Sequence, residues 1–267
     1  MKRIKKIIKL LFGDYAYYKI KSKINTNSSD FEDQKVIESR KIFYSQFVKE
    51  GDLCFDVGAN VGNRILPLLM LNAKIVAVEP QKYCQKILKA RFGNKINLVP
   101  KGLSETEEVK DFFISNDSVL SSFSKEWIDS VKKTRFKEYK WKAIHKVQMT
   151  TLDKLIENFG IPAFIKIDVE GYELEVLKGL NRPINMISFE YTVPEQTDKA
   201  IACIKRLALI NKKIEFNYSI SESMEFTKSK WIEADEMINL INNQQFIETE
   251  FGDIYARNSK EIGTSLQ

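Results

Sequence analysis

Cysteine, glycine and proline are scarce in this chain of 267 residues, and their scarcity excludes several classes of protein. The three cysteines (Cys54, Cys84 and Cys203) are odd in number and show no CxxC spacing, which disfavours a disulfide framework or a zinc module. With 11 glycines and 6 prolines, the sequence is neither collagen-like nor of low complexity. No apolar run approaches the ~20 residues that span a bilayer. The composition, 43% hydrophobic and 29% charged, is that of a globular protein.

Positive charge is concentrated in two segments. Residues 1–24 contain eight basic residues against one acidic residue, and residues 131–146 contain seven against one. Since the whole chain carries a net charge of only +6, the remainder has an acidic balance. The overall basicity therefore says little about the chemistry of the core.

Residues 1–24 place apolar side chains at helical spacing with lysines between them, which predicts a basic amphipathic helix. We do not interpret it as a signal peptide, because lysines interrupt the apolar stretch and no small-residue cleavage site follows. One function would be peripheral contact with the inner face of an anionic membrane; the alternative is a helix packed on the domain with solvated lysines. We expect an N-terminal helix and linker over 1–30, one domain over 31–258 and a flexible tail over 259–267, in a cytoplasmic protein.

From about residue 31, short apolar strands alternate with helical stretches. The clearest strands cover 53–57, 74–79, 96–100, 164–169 and 186–190. This alternation predicts βαβ units, and therefore an α/β fold with a mostly parallel sheet and helices on both faces. Such sheets bind ligands at the carboxyl ends of their strands.

The loop after the first strand, residues 58–63, lies at a strand-to-helix turn where the backbone approaches ligands closely. It does not match the dinucleotide fingerprint GxGxxG, because Asn60 and Asn63 stand where the second and third glycines belong. Asp56 beside the loop would repel a pyrophosphate, whereas it would attract the ammonium group of S-adenosylmethionine (SAM). Glu79 ends the next strand, where an acid accepts hydrogen bonds from ribose hydroxyls. The pattern favours SAM over NAD; the alternative is a tight turn with two solvent-facing acids.

At this point the sequence resembles the FkbM-type SAM-dependent methyltransferases. The resemblance rests on residues 55–62, 78–80, 151–153 and 165–173, of which Lys166–Glu173 is the most specific stretch. It implies a Rossmann-like class I methyltransferase fold, a seven-stranded sheet whose last strand is antiparallel. It also implies methyl transfer to oxygen, commonly on sugar hydroxyls or natural products.

The resemblance also implies roles for residues around the loop. It implies that the methionine part of SAM is cradled by Asp56, Gly58, Asn60 and Gly62. By the same resemblance, Glu79 holds the ribose, and Leu103 and Ser104 lie near the adenine. Asn63 and Pro80 are further expected cofactor contacts.

Charged residues alternate with apolar ones on the strand 164–169, and charges on a buried strand are costly unless they are paired or functional. We expect Asp168 to orient or deprotonate an acceptor hydroxyl, with Glu190 as the second candidate base and His145, the only histidine, as the third. The alternative is that Lys166 and Asp168 form an internal ion pair and that Glu170 caps the next helix. Carboxylates at adjacent strand ends could also hold Mg²⁺, but we favour a site without metal.

Residues 115–146 are predicted to form an insert on the substrate side. Ser118 and Ser121, together with Lys166 and Glu170, are the expected substrate contacts. Within the insert, lysines and aromatic residues interleave over 132–142. They could bind nucleic acid, a diphosphate or an acidic glycan, or form an amphipathic helix with Val131, Phe136 and Tyr139 inward. The sequence lacks the Pro-Pro motif of base N-methyltransferases, which weakens the nucleic-acid interpretation.

The function predicted first is SAM-dependent O-methylation of a sugar hydroxyl in a surface polysaccharide or a lipid-linked glycan. The predicted partners are a glycan or small-molecule acceptor and a membrane contacted through residues 1–24, without nucleic acid. Two alternatives stay open: an RNA ribose 2′-O-methyltransferase that uses residues 131–146, and an inactive SAM-fold module that binds a glycan or a protein.

Overall fold

The computed structural model describes residues 34–259, so the predicted N-terminal helix and almost all of the tail lie outside the described residues. In this range the strands are β1 Leu53–Val57, β2 Lys74–Val78, β3 Ile96–Val99, β4 Gly102–Leu103, β5 Val109–Ser115, β6 Trp141–Thr150, β7 Phe164–Ile167, β8 Met186–Thr192, β9 Ile214–Ile220 and β10 Phe251–Asn258. The helices are α1 Gln34–Tyr44, α2 Ile65–Met70, α3 Lys82–Phe92, α4 Lys125–Val131, α5 Leu152–Phe159, α6 Glu173–Lys178, α7 Thr197–Ile210, α8 Ala234–Ile241 and α9 Gln244–Ile247. Two short 3₁₀ turns cover Gly93–Lys95 and Ser118–Leu120.

Seven strands form the main sheet in the order β3-β2-β1-β7-β8-β10-β9. All neighbours are parallel except β10, which is antiparallel to β8 and to β9. The central strands are buried on both faces because helices cover both, as expected of βαβ units. This is the fold of the class I methyltransferases, and the prediction of a mostly parallel α/β sheet with an antiparallel last strand is confirmed.

The two faces of the sheet have separate apolar cores. Helices α1, α2 and α3 pack on one face, with Phe43, Ile65 and Leu88 among the buried residues. Helices α5 to α9 pack on the other face. The faces differ in one respect that matters for the site: the α1 face carries buried charged residues on β1, β7 and β10, namely Asp56, Lys166 and Asp253.

The predicted insert is a small layer of its own. Strands β4, β6 and β5 form a three-stranded sheet, and β5 and β6 pair antiparallel. The connection between them folds over a cluster formed by Leu120, Trp127, Ile128 and Val131, against which Phe113, Phe136, Tyr139 and Trp141 pack. Phe136 and Tyr139 therefore pack inward, as the amphipathic alternative predicts. The amphipathic helix itself is not formed: α4 ends at Val131, residues 132–140 are turns and irregular structure, and β6 begins at Trp141.

Strand β6 begins at Trp141, earlier than the sequence indicates, so His145 lies within a strand and not before one. The exposed lysines of its first half obscure the alternation by which a strand is recognised. The longest helix between residues 34 and 259 is α7, with 14 residues, and no helix in this range is long and apolar enough to cross a membrane.

Candidate functional site

A cleft opens at the carboxyl ends of β1, β2 and β7, and the insert covers it. Its walls include nine of the predicted site residues: Gly58, Asn60, Glu79, Pro80, Leu103, Ser118, Ser121, Asp168 and Glu170. Residues that sequence analysis missed also line it: Gln81, Lys101, Phe112, Val119, Phe123 and Tyr172. Crevices of this kind, at strand ends of a parallel sheet, are where α/β folds bind their ligands.

Gly58 is required by a close approach of two backbone segments. Its φ is +83°, and a Cβ at this position would lie 1.8 Å from the carbonyl oxygen of Asp168. The Asp168 N–H donates to the Val57 carbonyl at 2.9 Å, so β1 and the end of β7 are in direct contact beneath the cleft. Gly62 has a different role, because its Cβ would meet the Phe92 ring at 2.4 Å. Gly62 therefore packs the loop against α3 and is not among the residues that line the cleft.

Glu79 joins the glycine loop to the end of β2. One carboxylate oxygen accepts the N–H of Asn60 at 2.8 Å, and the other accepts the N–H of Gln81 at 2.6 Å. Burial raises the pKa of Glu79 to about 7, although both N–H bonds act in the opposite direction. A carboxylate offers about four lone-pair sites, so two remain for hydroxyl donors in the cleft. This geometry fits the predicted role of Glu79 in holding a ribose.

Asp56 lies below the loop, on the face of the sheet covered by α1, and is not among the residues that line the cleft. Its side chain is 2% exposed, and its Oδ2 has no hydrogen-bond partner among the described residues. Burial raises the pKa of Asp56 to about 6, which the neighbouring Lys166 partly opposes. A buried carboxylate oxygen without a partner is a suitable acceptor for an ammonium group. Its chemistry suits the methionine end of SAM, but the structure does not bring Asp56 to the cleft wall.

The opposite end of the cleft is apolar and aromatic. The Phe112 and Phe123 ring centroids are 4.4 Å apart, and the Phe123 and Tyr172 centroids are 5.5 Å apart. Leu103 completes this part of the wall, as suits a nucleobase. Ser104 is buried behind it, with its hydroxyl 3.3 Å from that of Tyr172, so it supports the wall from outside.

Three acids meet at the ends of β7 and β8. Asp168, Glu170 and Glu190 can each offer one carboxylate oxygen within 4.8 Å of the others. Burial, followed by the charge of Asp168, raises the pKa values of Glu170 and Glu190 well above the ordinary glutamate value. Carboxyl groups with raised pKa values are efficient proton acceptors near neutral pH. Three oxygen donors at this spacing could also surround a divalent cation.

Lys166 already supplies a positive charge to this cluster. Its Nζ donates to Asp168 Oδ2 and to Asp253 Oδ1, both at 3.1 Å, and its side chain is 2% exposed. Burial alone would lower the pKa of Lys166, but the two aspartates outweigh it and the net shift is upward. Lys166 is enclosed by protein and does not line the cleft, so its predicted substrate contact is not formed. The internal ion pair, the alternative from the sequence, is what the structure contains.

Asp253 is a functional neighbour that sequence reasoning missed. It lies in β10, in register with Glu190 of β8. The only signal in the sequence is an aspartate inside an otherwise apolar strand, Gly252–Ala256, and such a residue is costly unless it is paired.

Glu173 takes the capping role expected of Glu170. Its Oε1 accepts the N–H groups of Val169 and Gly171, both at 3.1 Å, at the start of α6. Glu170 instead adopts φ +56°, and its carbonyl accepts the Ser122 hydroxyl at 2.6 Å. The insert is thereby joined to the acid cluster.

Three further predicted site residues are not among those that line the cleft: Glu190, which contributes to the acid cluster, His145 and Asn63. His145 is exposed on β6, and the structure does not bring it together with Asp168 or Glu190. The Asn63 side chain accepts Arg91 Nη1 at 3.4 Å, outside the residues that line the cleft.

Comparison with known proteins agrees with this geometry. A sequence model described as the methyltransferase FkbM domain matches residues 56–247. No curated protein sequence matches the chain.

The fold is similar to several solved structures. One is precorrin-6y C5,15-methyltransferase from Geobacter metallireducens, with 11% sequence identity and a TM-score of 0.43; the alignment covers 83% of our chain and 88% of the precorrin enzyme. A TehB-like SAM-dependent methyltransferase from Corynebacterium glutamicum has 9% identity and TM-score 0.42, with 83% and 88% covered. An O-methyltransferase from Bacillus cereus in complex with SAH has 10% identity and TM-score 0.40, with 96% and 97% covered.

Proposed function

Because the chain belongs to the FkbM family of SAM-dependent methyltransferases, we propose that it methylates a hydroxyl of a sugar, in a surface polysaccharide or a lipid-linked glycan. SAM-dependent methyl transfer follows from the family. The oxygen acceptor is supported by one observation above all, the acid cluster Asp168–Glu170–Glu190 at the end of the cleft. A neutral hydroxyl must lose its proton as it is methylated, and a carboxylate beside the cleft can take it.

Each part of the cleft has a role in this reaction. Glu79 would hold the ribose of the cofactor, and the wall of Leu103, Phe112 and Phe123 its adenine. Bound SAM supplies an electrophilic methyl group on its sulfonium. Since the displacement is in line, the remaining task of the protein is to align the acceptor oxygen and remove its proton.

Asp168 is the residue we assign to that task. Asp168 lines the cleft. Its Oδ2 accepts a hydrogen bond from Lys166 Nζ, whereas its Oδ1 has no hydrogen bond to another described residue. Asp168 Oδ1 would accept the acceptor O–H, and Glu190 is the second candidate base. Because Lys166 already contributes a positive charge to this cluster, we propose that no metal ion takes part.

A sugar acceptor is favoured over RNA by the packing of the insert. Stacking on bases needs exposed aromatic faces, whereas Phe136, Tyr139 and Trp141 pack against Trp127. The part of the insert that borders the cleft offers small polar side chains, Ser118 and Ser121, which suit hydroxyl groups.

The test is methyl transfer from tritiated SAM to three fractions: lipid-linked glycan, lipid-free polysaccharide and total RNA. We expect label in a glycan fraction. Asp168→Asn should lower the rate by ~10²–10⁴-fold, the contribution of a general base, while the Kd for SAH changes by less than about threefold. Asp129→Asn, an exposed aspartate on α4, is the matched control and should be fully active.

Two results would contradict the proposal. Label confined to RNA would favour the ribose methyltransferase. No label in any fraction, with SAM binding intact, would favour a binding module without turnover. Full activity of Asp168→Asn would show that Asp168 is not the general base, and it would leave the proposed substrate unaffected.

A further inference from the structure

Six exposed lysines of the insert form a surface that methyl transfer does not require. The lysine patch consists of Lys132, Lys133, Lys137, Lys140, Lys142 and Lys146. Lys146 pairs with Asp111 at 2.7 Å, and Lys132 lies 5.1 Å from the centroid of the Trp141 ring. Within residues 34–259, no carboxylate forms an ion pair with the other four. The patch therefore carries an excess of positive charge into solvent.

The packing of the segment explains why these lysines share the outer surface. Phe136, Tyr139 and Trp141 pack inward on the Trp127 cluster, so the residues between them, Lys137 and Lys140, are left outside. In β6 the alternation of a strand places Ile144 and Lys146 on one face, and Lys142 is exposed at the register shift that precedes them. Ile144 is 59% exposed.

A surface of exposed lysines with one exposed isoleucine suits a partner that has an extended anionic surface and an apolar layer beneath it. Lysine is a strongly hydrated point charge, whereas shaped phosphate or base recognition uses the planar fork of arginine and exposed aromatic rings. The only arginine of residues 131–146, Arg135, is held by Glu195 Oε1 at 3.0 Å and by the Val193 carbonyl. The aromatic rings of the segment are packed inward. What remains available is charge together with one exposed aliphatic side chain.

We propose that the lysine patch docks the protein on anionic lipid membranes, with Ile144 entering the interface between the lysines. The rest of the described chain supports this orientation, because the charges outside residues 1–24 and 131–146 are predominantly acidic and would be repelled by such a surface. The insert also contributes Ser118 and Ser121 to the cleft, so docking through the patch would bring the cleft near the membrane. The proposal concerns binding and does not depend on the identity of the acceptor.

The test is co-sedimentation of the full chain with vesicles of phosphatidylglycerol and phosphatidylcholine, compared with vesicles of phosphatidylcholine alone. The patch variant combines Lys137→Glu, Lys140→Glu and Lys142→Glu. The control combines Lys86→Glu, Lys89→Glu and Lys95→Glu, three exposed lysines on and after α3, so both variants change the net charge equally. Both should bind SAH as the wild type does, which shows that they are folded.

We expect the patch variant to bind the anionic vesicles roughly 100-fold more weakly and the control to remain within about threefold of the wild type, because each lysine near the surface contributes a several-fold effect. Ile144→Asp should weaken binding about tenfold in the same assay. Equal losses in the two triple variants, or no loss in the patch variant, would overturn the proposal. So would tighter binding to a single-stranded RNA than to the vesicles with the same dependence on the patch.

Discussion

Replacement of Lys166 by methionine removes the one cation that, among residues 34–259, hydrogen-bonds both Asp168 and Asp253. Methionine fills a similar volume, so the main change is electrostatic. The Asp253 side chain is 6% exposed and would be left as a buried charge, whereas the Asp168 side chain is 30% exposed and retains contact with water. Breaking a buried pair by removing one partner costs ~3–5 kcal/mol. Because Asp253 carries most of this penalty, we expect the free energy of unfolding to fall by about that amount at pH 7.

Urea unfolding of the wild type and of Lys166→Met at pH 7, followed by circular dichroism, measures this loss.

Two further variants separate this explanation from a simple packing defect. In Lys166→Met/Asp253→Asn, the orphaned charge is gone, so the double variant should be more stable than Lys166→Met alone by ~1–3 kcal/mol. Lys154→Met breaks an exposed pair with Glu157, whose side chains are 49% and 50% exposed, and should cost less than ~1 kcal/mol. Additive losses in the double variant, or a loss in Lys166→Met no larger than in Lys154→Met, would refute the reasoning.

Three other predictions concern the cofactor and metal dependence. Gly58→Ala should abolish SAH binding in calorimetry and lower the melting temperature, because the new Cβ would lie 1.8 Å from the Asp168 carbonyl oxygen at a φ of +83°; measurable SAH binding at wild-type stability would contradict this. Burial raises the pKa of Glu79 to about 7, so its ionised form and the affinity for SAH should increase with pH, with about tenfold weaker binding at pH 6 than at pH 8. The pH dependence of SAH affinity should be lost in Glu79→Gln. If this variant kept the same pH dependence, Glu79 would not be the group that titrates on cofactor binding. Methyl transfer should be unaffected by EDTA, and activity restored only by Mg²⁺ would instead place a cation among Asp168, Glu170 and Glu190.

The sheet could be predicted from the sequence because its central strands are buried on both faces. Strands β1 and β2 are short apolar runs: Asp56 is the last residue but one of β1, and Glu79 follows β2 directly. The loop after β1 contains glycines where the backbone must turn. These signals are local, so they do not depend on knowing the partner strand. The antiparallel last strand came from the resemblance to a family, since no local pattern distinguishes it.

The contacts across the site could not be predicted in the same way. Phe112 and Phe123 form one wall of the cleft because the insert folds back over the sheet, and nothing in their sequence neighbourhood indicates this. The Lys166–Asp253 pair joins residues 87 positions apart, and it depends on β10 entering the sheet beside β8. Hydrophobic periodicity predicts that a strand exists but does not specify its neighbour.

Strand register connects these observations. Asp56, Lys166, Ser188 and Tyr255 are aligned across β1, β7, β8 and β10, and Asp253 lies two residues before Tyr255 on the same face. Lys166 therefore lies at the centre of a polar row. The row begins at Asp56, the predicted ammonium site, and ends on β10, which none of the family motifs includes. Asp168 and Asp253 share the ammonium group of Lys166. Asp253→Leu should therefore lower the free energy of unfolding, because it leaves the buried Lys166 with one aspartate in place of two, and urea unfolding that shows no loss would mean that Asp168 alone is a sufficient partner.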